Sequence, residues 1–157
     1  MKLKLLALGK MKRREYAELA EEYARRIGHY HSFDLVEIQD APIRAKGDLK
    51  VALEEESKRI QKHLKPESCL IVLDEKGEQW TSVDLAYEMG ELFNRHYSEI
   101  VFLIGGAYGI AGDLKEKARY QVSLTKLTLP HQLARVLLLE QIYRALTILK
   151  NVPYHHE

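Results

Sequence analysis

A single cysteine, Cys69, stands in a chain of 157 residues. An internal disulfide needs two cysteines and a cysteine-rich zinc cage needs more, so neither a stapled scaffold nor a zinc module is available. Cys69 opens the run Cys69-Leu70-Ile71-Val72-Leu73, where a thiol serves as a small core residue. Net charge is scarce as well: 24 Lys and Arg oppose 23 Asp and Glu, leaving +1. A protein that holds bare nucleic acid by counterion release alone is far more basic. RNA recognised by shape and local contacts, as part of a larger particle, stays compatible with this balance. No apolar run approaches the roughly 20 residues of a membrane-spanning helix. The apolar part of Met1–Gly9 is short and no small-residue cleavage site follows, so it reads poorly as a signal peptide. The expectation is a cytoplasmic protein without membrane contact.

What remains is an ordinary globular composition, 46% hydrophobic and 30% charged. No repeat, low-complexity segment or linker divides the chain, so residues 1–157 are expected to form one domain. Hydrophobic periodicity predicts strands at Leu3–Gly9, Phe33–Gln39, Leu70–Leu73, Glu99–Ile104 and about Gln121–Leu124. It predicts helices at Lys12–Tyr30, Asp48–His63, Thr81 or Ser82 to about His96, Asp113–Arg119 and His131–Lys150. Asp48 is placed as the cap of the second helix, and Asp40–Gly47 as a loop. Strands alternating with helices predict an α/β fold, a parallel sheet with helices on both faces.

The last predicted helix is apolar nearly all round, through Leu133, Val136, Leu137, Leu138, Leu139, Ile142, Tyr143, Leu146 and Leu149. Such a helix must be buried nearly all round. With one side on the sheet, the other calls for a partner, and a homodimer through this helix is expected. Its polar stripe holds Glu140 and Arg144 in the favourable i,i+4 order. Arg144 is thus open to two readings, a helical ion pair or a substrate contact.

Four segments could carry chemistry. Gly105-Gly106-Ala107-Tyr108-Gly109-Ile110-Ala111-Gly112 follows an apolar strand, where a parallel sheet places its ligand crevice. Glycines there permit close backbone approach, though a tight turn alone would also use them. It follows the fourth strand, unlike a dinucleotide loop, and no Gly-Lys-Ser/Thr makes it a P-loop. Ser123-Leu124-Thr125-Lys126-Leu127-Thr128-Leu129-Pro130-His131-Gln132 offers backbone groups and leucines that suit a flat ring, or is a plain connection. The tail Asn151-Val152-Pro153-Tyr154-His155-His156-Glu157 could stack on bases or stay disordered. Its histidines, with Glu157 as the one nearby acid, do not make a metal site. Finally, Lys10, Lys12, Arg13, Arg14, Arg25, Arg26 and His29 are candidates for phosphate contacts or simply a solvated face.

Taken together, Phe102-Leu103-Ile104-Gly105-Gly106, Ser123-Leu124-Thr125, Thr128-Leu129-Pro130-His131-Gln132, Arg135-Val136, Glu140-Gln141-Ile142-Tyr143-Arg144-Ala145 and Pro153-Tyr154-His155 resemble the RlmH-type large-subunit rRNA methyltransferases of the SPOUT class. The likeness runs the length of the chain. It implies a C-terminal trefoil knot, which periodicity cannot reveal. It further implies a homodimer, S-adenosylmethionine as methyl donor, and methylation of ring nitrogen 3 of a pseudouridine in helix 69 of 23S rRNA, on the assembled ribosome. The family's cofactor positions correspond here to Leu73, Gly105 and Leu124, Thr125, Lys126, Leu127, Thr128 and Leu129. Thr125 stands where relatives often carry serine and keeps the hydroxyl.

Under that resemblance the acceptor nitrogen must lose a proton, and histidine is the natural base near neutrality. His155, with Tyr154, is expected to reach the site from the partner subunit, and Arg144 to steady the target base. Arg135 is a weaker candidate for a phosphate contact. Two rivals stand beside this reading: a nucleotide-binding hydrolase or oxidoreductase, and a ribosome-associated binding protein without catalysis.

Overall fold

The computed structural model describes residues 1–45 and 47–156. Glu157, and Lys46 of the expected loop, lie outside them. The elements are β1 (Lys2–Leu8), α1 (Arg14–Gly28), β2 (Phe33–Ile38), α2 (Asp48–Gln61), β3 (Ser68–Gln79), α3 (Ser82–Phe93), β4 (Glu99–Ile104), α4 (Gly112–Lys117), β5 (Tyr120–Ser123) and α5 (His131–Leu149). The five strands form one parallel sheet in the order β2-β1-β4-β3-β5.

Alternating side chains send two cores to opposite faces, as a strand period of two demands. Leu3, Leu5 and Ala7 of β1 meet Ile27 of α1, Met89 of α3 and Leu139 of α5 on one face. Leu6 and Leu8 meet Ile60 of α2 and Leu114 of α4 on the other. The central strand β4 is buried along its whole length. At its start the fully buried Glu99 carboxylate accepts from Ser68 Oγ at 2.6 Å and pairs with Lys4 Nζ at 2.8 Å. Burial opposes that charge, but Lys4 and Ser68 outweigh it and hold the carboxyl below its usual range.

Three expectations are corrected. Asp48 does not cap α2; Gly47 occupies the cap and Asp48 is the first helical residue, its Oδ2 accepting from the Ala45 amide at 3.1 Å. Strand β3 does not stop at Leu73 but continues to Gln79. Its polar second half carries no apolar signal, yet Glu78 and Gln79 pair with Val122 and Ser123 after a register shift. In that shift a Cβ on Gly77 would lie 2.6 Å from the Gln121 carbonyl carbon, so glycine is required. Third, α5 does not face only the sheet: α1 and α3 flank it on the same face and take up much of its apolar circumference. What is left outward is a narrower stripe that includes Leu133, Leu137, Glu140 and Arg144.

Candidate active site

The C-terminal ends of β3, β4 and β5 open into a cleft of about 620 Å³. Its walls are three loops. The first is the turn after β4. Gly109 donates its amide to the Gly106 carbonyl at 3.2 Å and has φ +84°, a conformation that favours glycine. A Cβ on Gly105 would lie 2.7 Å from the Gly109 carbonyl oxygen, so no side chain fits there.

The second wall is the loop between β5 and α5. Leu124, Thr125, Leu127, Thr128 and Leu129 line the cleft, while Lys126 points to solvent and does not. Thr125 shapes this loop: its Oγ1 accepts from the Leu127 amide at 3.2 Å, and its carbonyl accepts from Ser123 Oγ at 2.9 Å. Among the described residues no backbone–backbone hydrogen bond engages Lys126, Thr128 or Leu129. Their peptide groups are therefore free to meet a ligand's polar edge.

The third wall is Leu73 with Asp74, Glu75 and Lys76. Asp74 pairs with Lys115 of α4 and accepts from the Lys76 amide at 2.8 Å. Partial burial would raise its carboxyl, but those bonds and the two lysine charges hold it below the usual carboxylate range. Sequence reasoning missed Asp74 and Lys115; Tyr108, inside the glycine segment, stands exposed on the rim. Asp74 had a readable signal, since it follows the apolar run of β3 directly.

Arg144, Tyr154 and His155 form a second cluster, at the far end of α5. The helix ends in a Schellman turn, with Val152 donating to Thr147 O at 2.9 Å and Asn151 to Ile148 O at 3.1 Å. Asn151 takes φ +52°, which reverses the chain and lays the tail back over the helix. Glu140 Oε1 then accepts from Arg144 Nε at 3.0 Å and from the Tyr154 hydroxyl at 3.0 Å. The Arg144 guanidinium lies 4.7 Å from the Tyr154 ring centre. Of the two readings of Arg144, the helical ion pair with Glu140 is made, and Nη1 also reaches His155 Nδ1 at 3.2 Å. Arginine can only donate, so Nδ1 accepts and the neutral ring carries its proton on Nε2. Burial, with bonds to Tyr23 and Glu140, pushes the Tyr154 phenol far above its ordinary value, so it acts as a donor near neutrality.

The two clusters share no residue. His131 and Ala134 of α5 line the cleft, and Arg144 lies 10 residues beyond Ala134 along the same helix, roughly 15 Å at the helical rise. Arg135 is 2% exposed and reaches no surface where phosphate could bind. It ties α5 to β1 and β2 instead, donating to Glu37 Oε2 at 2.8 Å and to the Leu8 and Gly9 carbonyls. Among the described residues no group of three or more His, Cys, Asp and Glu could hold a metal. Nor is any described helix long and apolar enough to cross a membrane.

The sheet order, the glycine turn and the loop before α5 describe a methyltransferase of one particular class, and the chain belongs to the SPOUT methyltransferase family. The family model described as "Predicted SPOUT methyltransferase" matches residues 1–155. Within that family the chain is 42% identical, over 99% of both chains, to Ribosomal RNA large subunit methyltransferase H of Gloeobacter violaceus. It is 40% identical to the protein of that name from Maridesulfovibrio salexigens, over 99% of this chain and 98% of the other. Among solved structures, a probable methyltransferase from Bordetella pertussis shares the fold with TM-score 0.57 at 13% identity, covering 92% of this chain and 94% of that one.

The methyl donor of this family is S-adenosylmethionine. The cleft fits it on two counts. Gly105 lets the turn that forms one wall close on its own backbone and Ile110, and the Leu124–Leu129 loop combines leucine side chains with free peptide groups, the pairing an adenine ring needs.

Proposed function

We propose that this protein methylates the RNA of the large ribosomal subunit, at ring nitrogen 3 of a pseudouridine in helix 69 of 23S rRNA, acting on the assembled ribosome. Residues 1–157 act as one domain, in the cytoplasm, and the working form is a homodimer. The reading is supported by end-to-end likeness to relatives named as large-subunit rRNA methyltransferases. It is carried by one observation: a glycine-walled cleft at the C-terminal edge of a parallel sheet, with its polar side-chain cluster elsewhere.

Leu73, Gly105 and the Leu124–Leu129 loop hold the donor; Lys126 serves through its backbone, since its side chain points away. The bound cofactor supplies a methyl group already activated on a sulfonium. The protein's task is to orient the acceptor and manage its proton. His155 Nδ1 is the basic nitrogen. The acceptor N–H displaces Arg144 from it, Nδ1 takes the proton, and the released guanidinium steadies the negative charge on the ring. Tyr154 stays protonated and fixes this pair through Glu140.

Distance supports the dimer. Arg144 lies roughly 15 Å along α5 from Ala134, the last residue of that helix to line the cleft, and in this reading a second copy supplies Arg144 and His155. The outward stripe with Leu133 and Leu137 is the apolar part of that interface. A trefoil knot, with β5 and α5 threaded past residues 74–79, belongs to the same proposal. The tight passage of Gly77 against the Gln121 and Val122 backbone supports it.

The test is transfer of labelled methyl groups from S-adenosylmethionine to ribosomes, with mass mapping of the product. A methyl group on nitrogen 3 of a pseudouridine in helix 69 is expected, and efficient labelling of an isolated hairpin would contradict recognition of the assembled particle. Incorporation at any other position would sink the assignment.

A further inference from the structure

Lys10, Lys12, Arg13 and Arg14 crowd four cations into five residues of a chain whose net charge is +1. The fold gives this crowding a location. The segment is the connection from β1 to α1, at the C-terminal edge of the sheet, and β1 lies beside β4. It therefore neighbours the glycine turn and the cofactor cleft.

Three side chains fasten its backbone there. Gln132 Oε1 accepts the amides of Lys12 at 2.9 Å and Arg13 at 3.2 Å. Glu37 Oε2 accepts the Met11 amide at 2.7 Å. Arg135 Nη2 donates to the Gly9 carbonyl at 3.0 Å and the Leu8 carbonyl at 3.2 Å. Gln132 sits in the first turn of α5 beside His131, which lines the cleft. The basic segment and the cofactor loop are thus anchored to one helix turn.

Because the anchoring bonds use backbone groups, the cationic side chains stay outward, and all four residues are exposed. Among the described residues neither Lys10 nor Lys12 has an ion-pair partner. Arg13 with Glu15, at 3.8 Å, and Arg14 with Glu18, at 2.8 Å, are solvent-exposed pairs. Such pairs contribute little and exchange readily for another anion. Ordering a loop costs conformational entropy. Here the ordering yields a fixed array of cations at the edge of a ligand cleft.

We propose that Lys10–Arg14 is the docking surface for the phosphate backbone of the RNA entering the cleft, with Gln132 as the positioning residue that holds it in register with the cofactor loop. This rests on the RNA substrate proposed above. Phosphate contacts fix orientation without reading sequence, which suits a loop of lysines and arginines without a buried polar pocket. The surface also accommodates RNA binding in a nearly neutral protein, since the charge is concentrated where the substrate meets the site.

The test is co-sedimentation of the full-length protein with large ribosomal subunits over a range of salt concentrations. The variants are K10E/K12E and, as control, K58E on the exposed side of α2. The double reversal is expected to weaken binding about tenfold and to flatten the log–log salt dependence by about 0.7 to 0.9 for each phosphate no longer neutralised. S-adenosylhomocysteine affinity, by calorimetry, is expected to stay unchanged in both. Q132A is expected to weaken ribosome binding with an unaltered salt slope, because it displaces the loop without removing charge. Binding by K10E/K12E with the affinity and slope of K58E overturns the docking surface alone. Failure of the unaltered protein to bind subunits overturns the substrate reading itself.

Discussion

The two ends of α5 are built from different materials. At its start the cleft is made of backbone: a glycine turn, a loop with free peptide groups and leucine walls, and few side-chain hydrogen bonds. At its end the Arg144, Tyr154 and His155 cluster is made of side chains, all converging directly or through one another on the Glu140 carboxylate. A backbone-built site binds through shape and tolerates few added atoms. A cluster of side chains can exchange partners, which proton transfer requires. The division fits a reaction in which the donor is already activated and only the acceptor needs chemistry.

Mutations should separate the two ends, and His155→Ala tests this most strongly. Turnover on ribosomes is expected to fall roughly 10²- to 10⁴-fold, the range for loss of a general base, with S-adenosylhomocysteine affinity unchanged. Equal turnover would remove the role assigned to His155. Gly105→Ala should do the reverse. Its new Cβ meets the Gly109 carbonyl at 2.7 Å, and a strain of about 1–3 kcal/mol corresponds to a roughly 5- to 150-fold loss of cofactor affinity by calorimetry.

Asn151→Val attacks the turn that lays down the tail. A β-branched residue at φ +52° costs roughly 1–2 kcal/mol. The expected outcome is several-fold lower turnover with a small drop in thermal stability and unchanged cofactor binding. A subtler effect is in pH. The Tyr154 phenol titrates above its ordinary value near 10.0. Its contribution to docking the tail is therefore full below that value and lost as pH rises through the higher one. Tyrosinate absorbance, wild type minus Tyr154→Phe, should show one tyrosine ionising late; a difference centred at or below 10 would contradict the buried, carboxylate-bonded phenol. Thr125→Ser is expected to change least, since the hydroxyl that receives the Leu127 amide is retained, and cofactor affinity should move less than twofold.

Much of this was legible in the chain. Three apolar runs, Leu3–Gly9, Leu70–Leu73 and Glu99–Ile104, located the three central strands, because a strand buried on both faces is nearly continuous in apolar residues, as in Glu99–Ile104; alternation located Phe33–Ile38 at the edge. The glycine turn was legible since few other residues can adopt its backbone. The second half of β3 was not, because Asp74–Gln79 is polar and its pairing partner lies more than 40 residues away in β5. Arg135 was misread as a surface cation for a related reason: nothing local marks an arginine whose partners, Glu37, Leu8 and Gly9, are 98 to 127 residues upstream.

By itself, then, the sequence determined the fold class, the order of elements and two of the three segments that wall the cleft. These depend on periodicity and backbone conformation, which neighbouring residues encode. Only the tertiary structure decided which side chains meet. It drew Gln132 to the basic loop, buried Arg135, and set Arg144 between Glu140 and His155. It also put Arg144 roughly 15 Å along that helix from the last residue lining the cleft. Such contacts join residues distant in the chain, and hydrogen bonding between them depends on packing that no local pattern records.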